Sequence, residues 1–326
     1  MGPRTVRFTA EDFVIPAEFG GLRLAERHAG QIGGVHLTLV DSGGRTTFGP
    51  IFQQVPLRVL PPFQFPGEPA LVYLMNPTAG LLDGDGHGVE LSAGPGTRAL
   101  VTGQSATRIH PAVHGFSTQQ WQVRAGEGSQ LVLLPGPNIP YRGCRYYQKA
   151  HIELDDGARL IWGDIWTPGR YARIGDLAEH YQFERIVQEL EVHRGGDLVY
   201  RDRFTWEGPW DDARAHWYLG GGLSDATGSL FVTGRVDLPP LGRDSSLRRA
   251  VLPLAHGDTL VRWCGSVAEV TTEVVRTALG VAARWSGRDD APEWLIGSHH
   301  LVPNHWFSVD LGPAHSPERQ AVDRIS

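Results

Sequence analysis

Glycine and proline punctuate this chain throughout, with 41 Gly and 23 Pro among 326 residues. Glycine is too permissive and proline too rigid for long helix interiors. The balance disfavours a helical bundle and favours many short strands. The stretches between the punctuation agree. Residues 35–40 read as a strand, Asp41-Ser42-Gly43-Gly44 as a turn, and residues 45–59 as its extended return, which predicts a hairpin. Residues 71–75 form a short apolar run that stops at Asn76-Pro77. Further strands are predicted over 89–92, 99–109, 117–123, 130–134, 151–154, 159–166, 183–192, 198–206, 230–236 and 259–263. Asp155-Asp156-Gly157 between two of them reads as a second hairpin turn. No fixed-length repeat is visible, so periodicity supports neither a propeller nor a regular solenoid.

One segment changes period. Val267, Val270, Val274, Ala278, Val281 and Trp285 recur at three- and four-residue steps, so they share a helical face. Ser266 followed by Glu269 is a capping box, and Gly287 supplies the stop. The spacing predicts a helix over 267–285. A shorter helix is expected near 176–181. No linker separates two compositional halves. The expected organisation is one mostly-β domain over residues 1–312 with a helix packed on it, and a flexible polar tail over 313–326.

Charge and cysteine content exclude several roles. The net charge is −6, which argues against a nucleic-acid partner. Cys144 and Cys264 are the two cysteines, too few for a disulfide framework or a closed thiolate zinc site. No apolar run approaches 18 residues, so no membrane span is expected. The first residues lack a secretory apolar core, and a cytoplasmic location is expected.

The densest constellation is Gly80-Leu81-Leu82-Asp83-Gly84-Asp85-Gly86-His87-Gly88. Two carboxylates and an imidazole in five residues suit a divalent cation. The spacing does not match an EF-hand loop, and taken alone it favours a Gly-Asp turn whose carboxylates bond their own backbone. Gly103-Gln104-Ser105-Ala106-Thr107 is not a nucleophile elbow, because Thr107 replaces the second glycine. His299, His300 and His305 cluster beside Trp294 and Trp306, with no closed ligand set around them. Asp155-Asp156, Asp211-Asp212 and Asp289-Asp290 sit in apparent turns. No phosphate-binding, dinucleotide or metalloprotease motif is present.

The order of segments resembles a known family. Residues 73–85, Tyr-Leu-Met-Asn-Pro-Thr-Ala-Gly-Leu-Leu-Asp-Gly-Asp, resemble the "YLLHPPGGIVGGD" block of the urease accessory proteins called UreD or UreH. Residues 99–109 are similar to that family's "LTTQ-A-TK" strand. Leu131 to Pro135 with Ile139-Pro140-Tyr141 resembles its "LEWLP" segment. Gly49-Pro50 with Gln53-Gln54, then Gly169-Arg170 with Ala172, then Val261-Arg262-Trp263 and Pro292-Glu293-Trp294 follow in collinear order over about residues 35–297. Asn76, Thr78-Ala79, Asp83, His87, Gly103, Val132 and Leu133 depart from the family pattern.

The resemblance implies a β-helix-like, multi-stranded all-β body with one or two helices, a rigid and barrel-like frame. It implies no catalytic residues and no tightly bound cofactor. It implies a scaffold that binds a UreF-type accessory protein, a UreG-type GTPase and apo-urease, and relays transient Ni2+ through an internal channel. Asp85 matches the family's acidic position. Asp83 and His87 add to it, and the three are the expected transient nickel ligands. Trp285 and Trp294 are candidate partner anchors. Two other readings stand beside this one: a related binding protein no longer dedicated to urease, and a β-helical carbohydrate-active enzyme.

Overall fold

Alternate side chains along the long strands turn inward, and that alternation sorts the chain into two facing sheets. The computed structural model describes residues 7–24, 31–171, 179–242 and 245–289. In chain order the strands begin with β1 (Ile32–Asp41), β2 (Thr46–Gln54), β3 (Arg58–Val59), β4 (Ala70–Met75), β5 (Gly86–Ala93) and β6 (Arg98–Gly103). Next come β7 (Thr107–Ile109), β8 (Ser117–Ala125), β9 (Gln130–Leu134), β10 (Pro137–Pro140), β11 (Arg145–Leu154) and β12 (Arg159–Trp166). The last are β13 (Arg185–Arg194), β14 (Asp197–Glu207), then helix α1 (Asp212–Leu219), β15 (Ala226–Val232), β16 (Arg248–Pro253), β17 (Thr259–Gly265) and helix α2 (Val267–Trp285).

One sheet has seven strands in the order β14-β13-β11-β8-β5-β1-β2. The other has ten, running β16-β17-β15-β12-β9-β6-β4-β3, with β10 beside β12 and β7. Between β5 and β13 the chain alternates between the sheets, so each strand lies parallel to the one a full coil earlier. This is the expected mostly-β, β-helix-like body with two helices. The sheets remain two open layers, and the barrel-like closure expected of the frame is absent. Gly86 lies beside Thr118, Ser117 beside Tyr146, and Tyr146 beside Ile186, so successive coils are offset by 32, 29 and 40 residues. Unequal offsets explain why no repeat is visible in the sequence.

The β1–β2 hairpin forms as expected. The hairpin expected at Asp155-Asp156-Gly157 does not. β11 and β12 belong to different sheets, and the turn carries the chain across the core. Its Gly157 has a φ of +68°, which turns the chain sharply without committing the next strand to pair with the last. The run 99–109 is broken at 104–106 into β6 and β7. Residues 176–178 of the expected short helix lie outside the described residues, as do the tail after 313 and the histidines 299, 300 and 305. Residues 179–181 are not helical. An unforeseen helix, α1, begins instead at Asp211, whose carboxylate accepts from the Arg214 N–H. That doublet is therefore a helix cap rather than a turn.

The inward rows pack into one core that includes Val35, Val89, Trp121, Leu131, Leu160 and Leu190. The outer face of the ten-stranded sheet is covered by α2, which has the bounds expected of it. Ser266 Oγ accepts from the Glu269 N–H and donates to the Glu269 carboxylate. Part of the outer face of the seven-stranded sheet is covered by residues 8–24, through Phe8, Phe13 and Phe19. Gln54 and Gln120 clamp that segment by side-chain bonds to the backbone of Phe8 and Val14. No described helix is long and apolar enough to cross a membrane.

α2 sits close to the sheet because β15 offers glycine beneath it. A Cβ at Gly228 would meet Val274 Cγ2 at 2.7 Å and Val270 Cγ1 at 2.8 Å. Gly228→Ala is therefore expected to destabilise the chain by about 1–3 kcal/mol through overpacking. A urea midpoint equal to wild type would show that the helix floats free of the strand.

Candidate functional site: a polar row between the sheets

The loop over residues 80–88 spends its carboxylates on backbone. Asp83 accepts from the N–H groups of Val113, His114 and Gly115, at 2.9, 2.8 and 2.9 Å. It fixes the loop entering β8. Asp83→Ala leaves those three amides to water and is expected to cost about 1–3 kcal/mol. Faster hydrogen exchange at residues 113–115 is the matching local sign, and unchanged exchange there contradicts the assignment. Asp85 is buried and accepts from the Leu82 and Gln31 N–H groups at 2.7 and 2.6 Å. Burial pushes its carboxyl upward, against the pull of those two amides. His87 is different. It is 1% exposed, its Nε2 has no hydrogen-bond partner among the described residues, and burial lowers its pKa to about 4. The ring is neutral at physiological pH and keeps a lone pair. The structure does not gather Asp83, Asp85 and His87 into one ligand set; among the described residues that grouping occurs at His151, Glu191 and His193.

His87 opens a row that the sequence did not reveal. Registered parallel pairing puts His87 of β5 beside Gln119 of β8, Gln119 beside Gln148 of β11, and Gln148 beside Gln188 of β13. All four are buried and on inward positions. The neighbouring inward row, Val89, Trp121, Ala150 and Leu190, is apolar. Polar side chains at inward positions need partners, and Gln148 and Gln188 find them across the core. Asp164 of β12 faces them from the other sheet, 2% exposed. It accepts from Gln148 Nε2, from Gln188 Nε2 at 2.8 Å and from Trp162 Nε1. Asn138 donates to Gln148 Oε1 at 3.0 Å, and Trp166 donates to Gln188 Oε1 at 2.6 Å.

Burial raises the Asp164 carboxyl to about 6, although three donors pull it down. No ion pair reaches it among the described residues. The signal for this row was available: a single Asp inside the apolar run 160–166, and a Gln two residues before an inward apolar residue on three strands.

Each end of the row meets a cavity. His87 and Gln119 line one of about 50 Å³ with Asn76, Gly103 and Thr107, enough for ordered water. Gln188 lines one of about 470 Å³ with Trp166, Asp202, Phe204, Arg248 and Cys264. Arg248 and Arg262 at this cavity are neutralised by Asp225 and Asp202, both at 2.7 Å. The Cys264 thiol is pushed up by burial and stays protonated. Chemically, the row offers amide oxygens, one neutral imidazole and one carboxyl that titrates near neutrality. It has no activated nucleophile. Ser105 is exposed in the 103–107 turn.

Of the expected partner anchors, Trp285 packs half-buried against the core under the Arg159 guanidinium, 5.9 Å from its ring. Trp294 lies outside the described residues. Among the described residues the most exposed large aromatic is Trp217 of α1, at 84%, with Tyr218 beside it at 50%.

Comparison with known proteins agrees with the segment order. A family described as UreD urease accessory protein matches residues 31–296. A curated relative from Synechococcus sp. (strain JA-3-3Ab), named Urease accessory protein UreD 2, is 42% identical over 157 residues, 48% of this chain and 55% of the relative. A Streptomyces griseus protein of the same name is 30% identical over 256 residues, covering 76% of this chain and 85% of the relative. A Sorangium cellulosum protein named Urease accessory protein UreD is 29% identical over 292 residues, 86% and 90% of the two chains.

Proposed function

The chain belongs to the UreD family of urease accessory proteins, and from that premise we propose that it is a non-catalytic scaffold for urease maturation. It binds a UreF-type accessory protein, a UreG-type GTPase and apo-urease in the cytoplasm, and it assists nickel insertion by relaying the ion through its interior. The family is named for an accessory role, not for a catalysed reaction.

The observation that supports the relay is the polar row from His87 to Gln188 between two cavities. A moving Ni2+ needs oxygen and imidazole donors that bind weakly and in succession, because a closed set of charged ligands would hold it. Amide oxygens of Gln119, Gln148 and Gln188 fit that need. His87 is the strongest single ligand at one end, and Asp164 supplies charge beside Gln148 and Gln188. Asp85 and Asp83 are further transient contacts on this reading, apart from His87, while also fixing the loops around it.

The test uses the purified chain with its UreF-type and UreG-type partners, apo-urease, GTP and Ni2+. Asp164→Asn and Gln148→Leu are expected to slow urease activation at least roughly tenfold, the scale on which losing support for a metal ligand is felt, with partner binding retained. Unchanged activation in both variants removes the relay and leaves the scaffold. Failure of the wild-type chain to capture the UreF-type protein removes the scaffold itself. Asp85→Ala is less diagnostic, because its carboxylate also holds two backbone amides.

A further inference from the structure

On the outer face of the seven-stranded sheet, away from the polar row, three metal-binding side chains converge. His151 of β11 stands directly across from Glu191 of β13, and Glu153 across from His193. One ligand atom from each of His151, Glu191 and His193 lies within 4.8 Å of the other two. The two imidazole rings are 4.6 Å apart between centroids and tilted by 42°. His193 Nε2 is buried and has no hydrogen-bond partner among the described residues. His151 Nδ1 is 3.6 Å from Glu191 Oε2, while its Nε2 meets Glu153 Oε1 at 2.9 Å.

The geometry points to a surface site for a borderline divalent transition ion such as Ni2+ or Zn2+, held by His151, Glu191 and His193. Two nitrogens and one carboxylate oxygen select such ions over Mg2+ and Ca2+, which require oxygen shells. Donors that each sit about 2.0–2.2 Å from a shared ion lie roughly 3–3.5 Å from one another, so the His151–Glu191 gap is already close to the bound one. The other separations close by about 1 Å, a side-chain adjustment. Glu153 supplies the outer carboxylate that orients a ligating imidazole through its second nitrogen. Three protein ligands leave positions open, so the ion exchanges with water or with a ligand from another protein.

Two cations compete for Glu191. Lys149, the chain's only lysine, places Nζ 3.7 Å from Oε2, and Arg201 Nε is 3.4 Å from Oε1. An entering ion displaces Lys149, and that competition gives the site a signature of its own. Losing a ligand weakens binding, while losing Lys149 strengthens it.

The experiment is equilibrium dialysis of the untagged full chain against NiCl2 or ZnCl2, which needs no partner and no urease. His193→Ala is expected to lose one bound equivalent, with affinity at that site falling more than the roughly 10- to 100-fold typical of losing an outer partner. Lys149→Gln is expected to bind the same equivalent more tightly. Asp164→Asn, and a chain with His299, His300 and His305 all changed to Ala, are expected to keep it. Undiminished stoichiometry and affinity in His193→Ala overturn the site. If that variant fails to fold, Lys149→Gln decides, and unchanged affinity there overturns it. The binding readout stands whether or not the chain matures urease.

Discussion

Between pH 4.5 and 7.5, the Asp164→Asn chain is expected to gain about 2 kcal/mol of stability relative to wild type. The Asp164 carboxyl rises from 3.8 to about 6 on folding, so the folded chain holds this proton more tightly than the unfolded one. The sign follows from linkage: this group favours folding below its unfolded pKa, and that contribution is lost as pH climbs towards the folded value. A shift of about two units amounts to about 3 kcal/mol at 1.36 kcal/mol per unit, of which about 2 kcal/mol falls within the stated window. Asparagine cannot ionise and escapes the loss. It also offers one acceptor oxygen where the carboxylate offered two, so Trp162, Gln148 and Gln188 compete for it. That mismatch sets a constant offset at every pH and does not change the slope. Burial pushes the Glu179 and Glu189 carboxyls up, but Arg170 and Arg201, with the carboxyls' other partners, outweigh it and hold both below the ordinary value, so their stabilisation fades as pH falls. Both remain in both chains, and their effect cancels in the difference. Urea midpoints measured at the two pH values read the slope directly. A difference that does not vary with pH means Asp164 is not buried as described.

Under the proposed relay, the same carboxyl bears on function. A buried carboxylate without an ion pair is costly, and the fold retains it beside Gln148 and Gln188 of the row. On the proposed relay, a cation passing Gln148 and Gln188 would relieve that cost while present, which would favour its entry and, with no second charge to hold it, also its departure. The pH slope reports the burial of Asp164, and the activation rate reports whether an ion passes the amides beside it.

The sequence carried the strands well because period-two burial needs only local information. It carried α2 for the same reason, since six apolar residues at helical spacing have no alternative as a strand. What it could not carry was pairing. Asp155-Asp156-Gly157 satisfies the chemistry of a hairpin turn, yet it serves equally to cross from one sheet to the other, and only the parallel partners β8 and β13 settle which. α1 escaped notice because only Ala215 and Leu219 of its eight residues are buried. The site divided in the same way. Asp83, Asp85 and His87 are neighbours in sequence, and the local turn bond of Asp85 to the Leu82 N–H was legible, whereas the reach of Asp83 to the amides of residues 113–115 was not. Gln119, Gln148 and Gln188 are separated by whole coils, and each alone is an unremarkable polar strand residue. The group of His151, Glu191 and His193 is split the same way, with a coil of 40 residues between its two strands.

Trp121→Ala is expected to cost about 3–5 kcal/mol, the range for emptying a buried aromatic site. Trp121 is 1% exposed and packs edge-to-face on Trp162, with centroids 5.5 Å apart and planes at 84°. Its neighbours along the row, Val89 and Ala150, are too small to fill the space left. Trp121→Phe is expected to cost only about 1–2 kcal/mol. The phenyl ring keeps the contact with Trp162, and the substitution removes an indole Nε1 that is buried without a partner among the described residues, a burden of about 1–3 kcal/mol. Guanidinium unfolding of both variants tests the pair, and equal losses would mean that the indole N–H is satisfied. The position also separates frame from conduit. Trp121 lies one inward step from Gln119 and bonds no atom of the polar row, so Trp121→Phe is expected to keep the wild-type rate of nickel-dependent urease activation. Asp164→Asn is expected to slow it with the fold intact. If instead Trp121→Phe abolished activation while folded and partner-bound, the ion would have to pass through the apolar core or avoid the interior, and the polar row would lose its function.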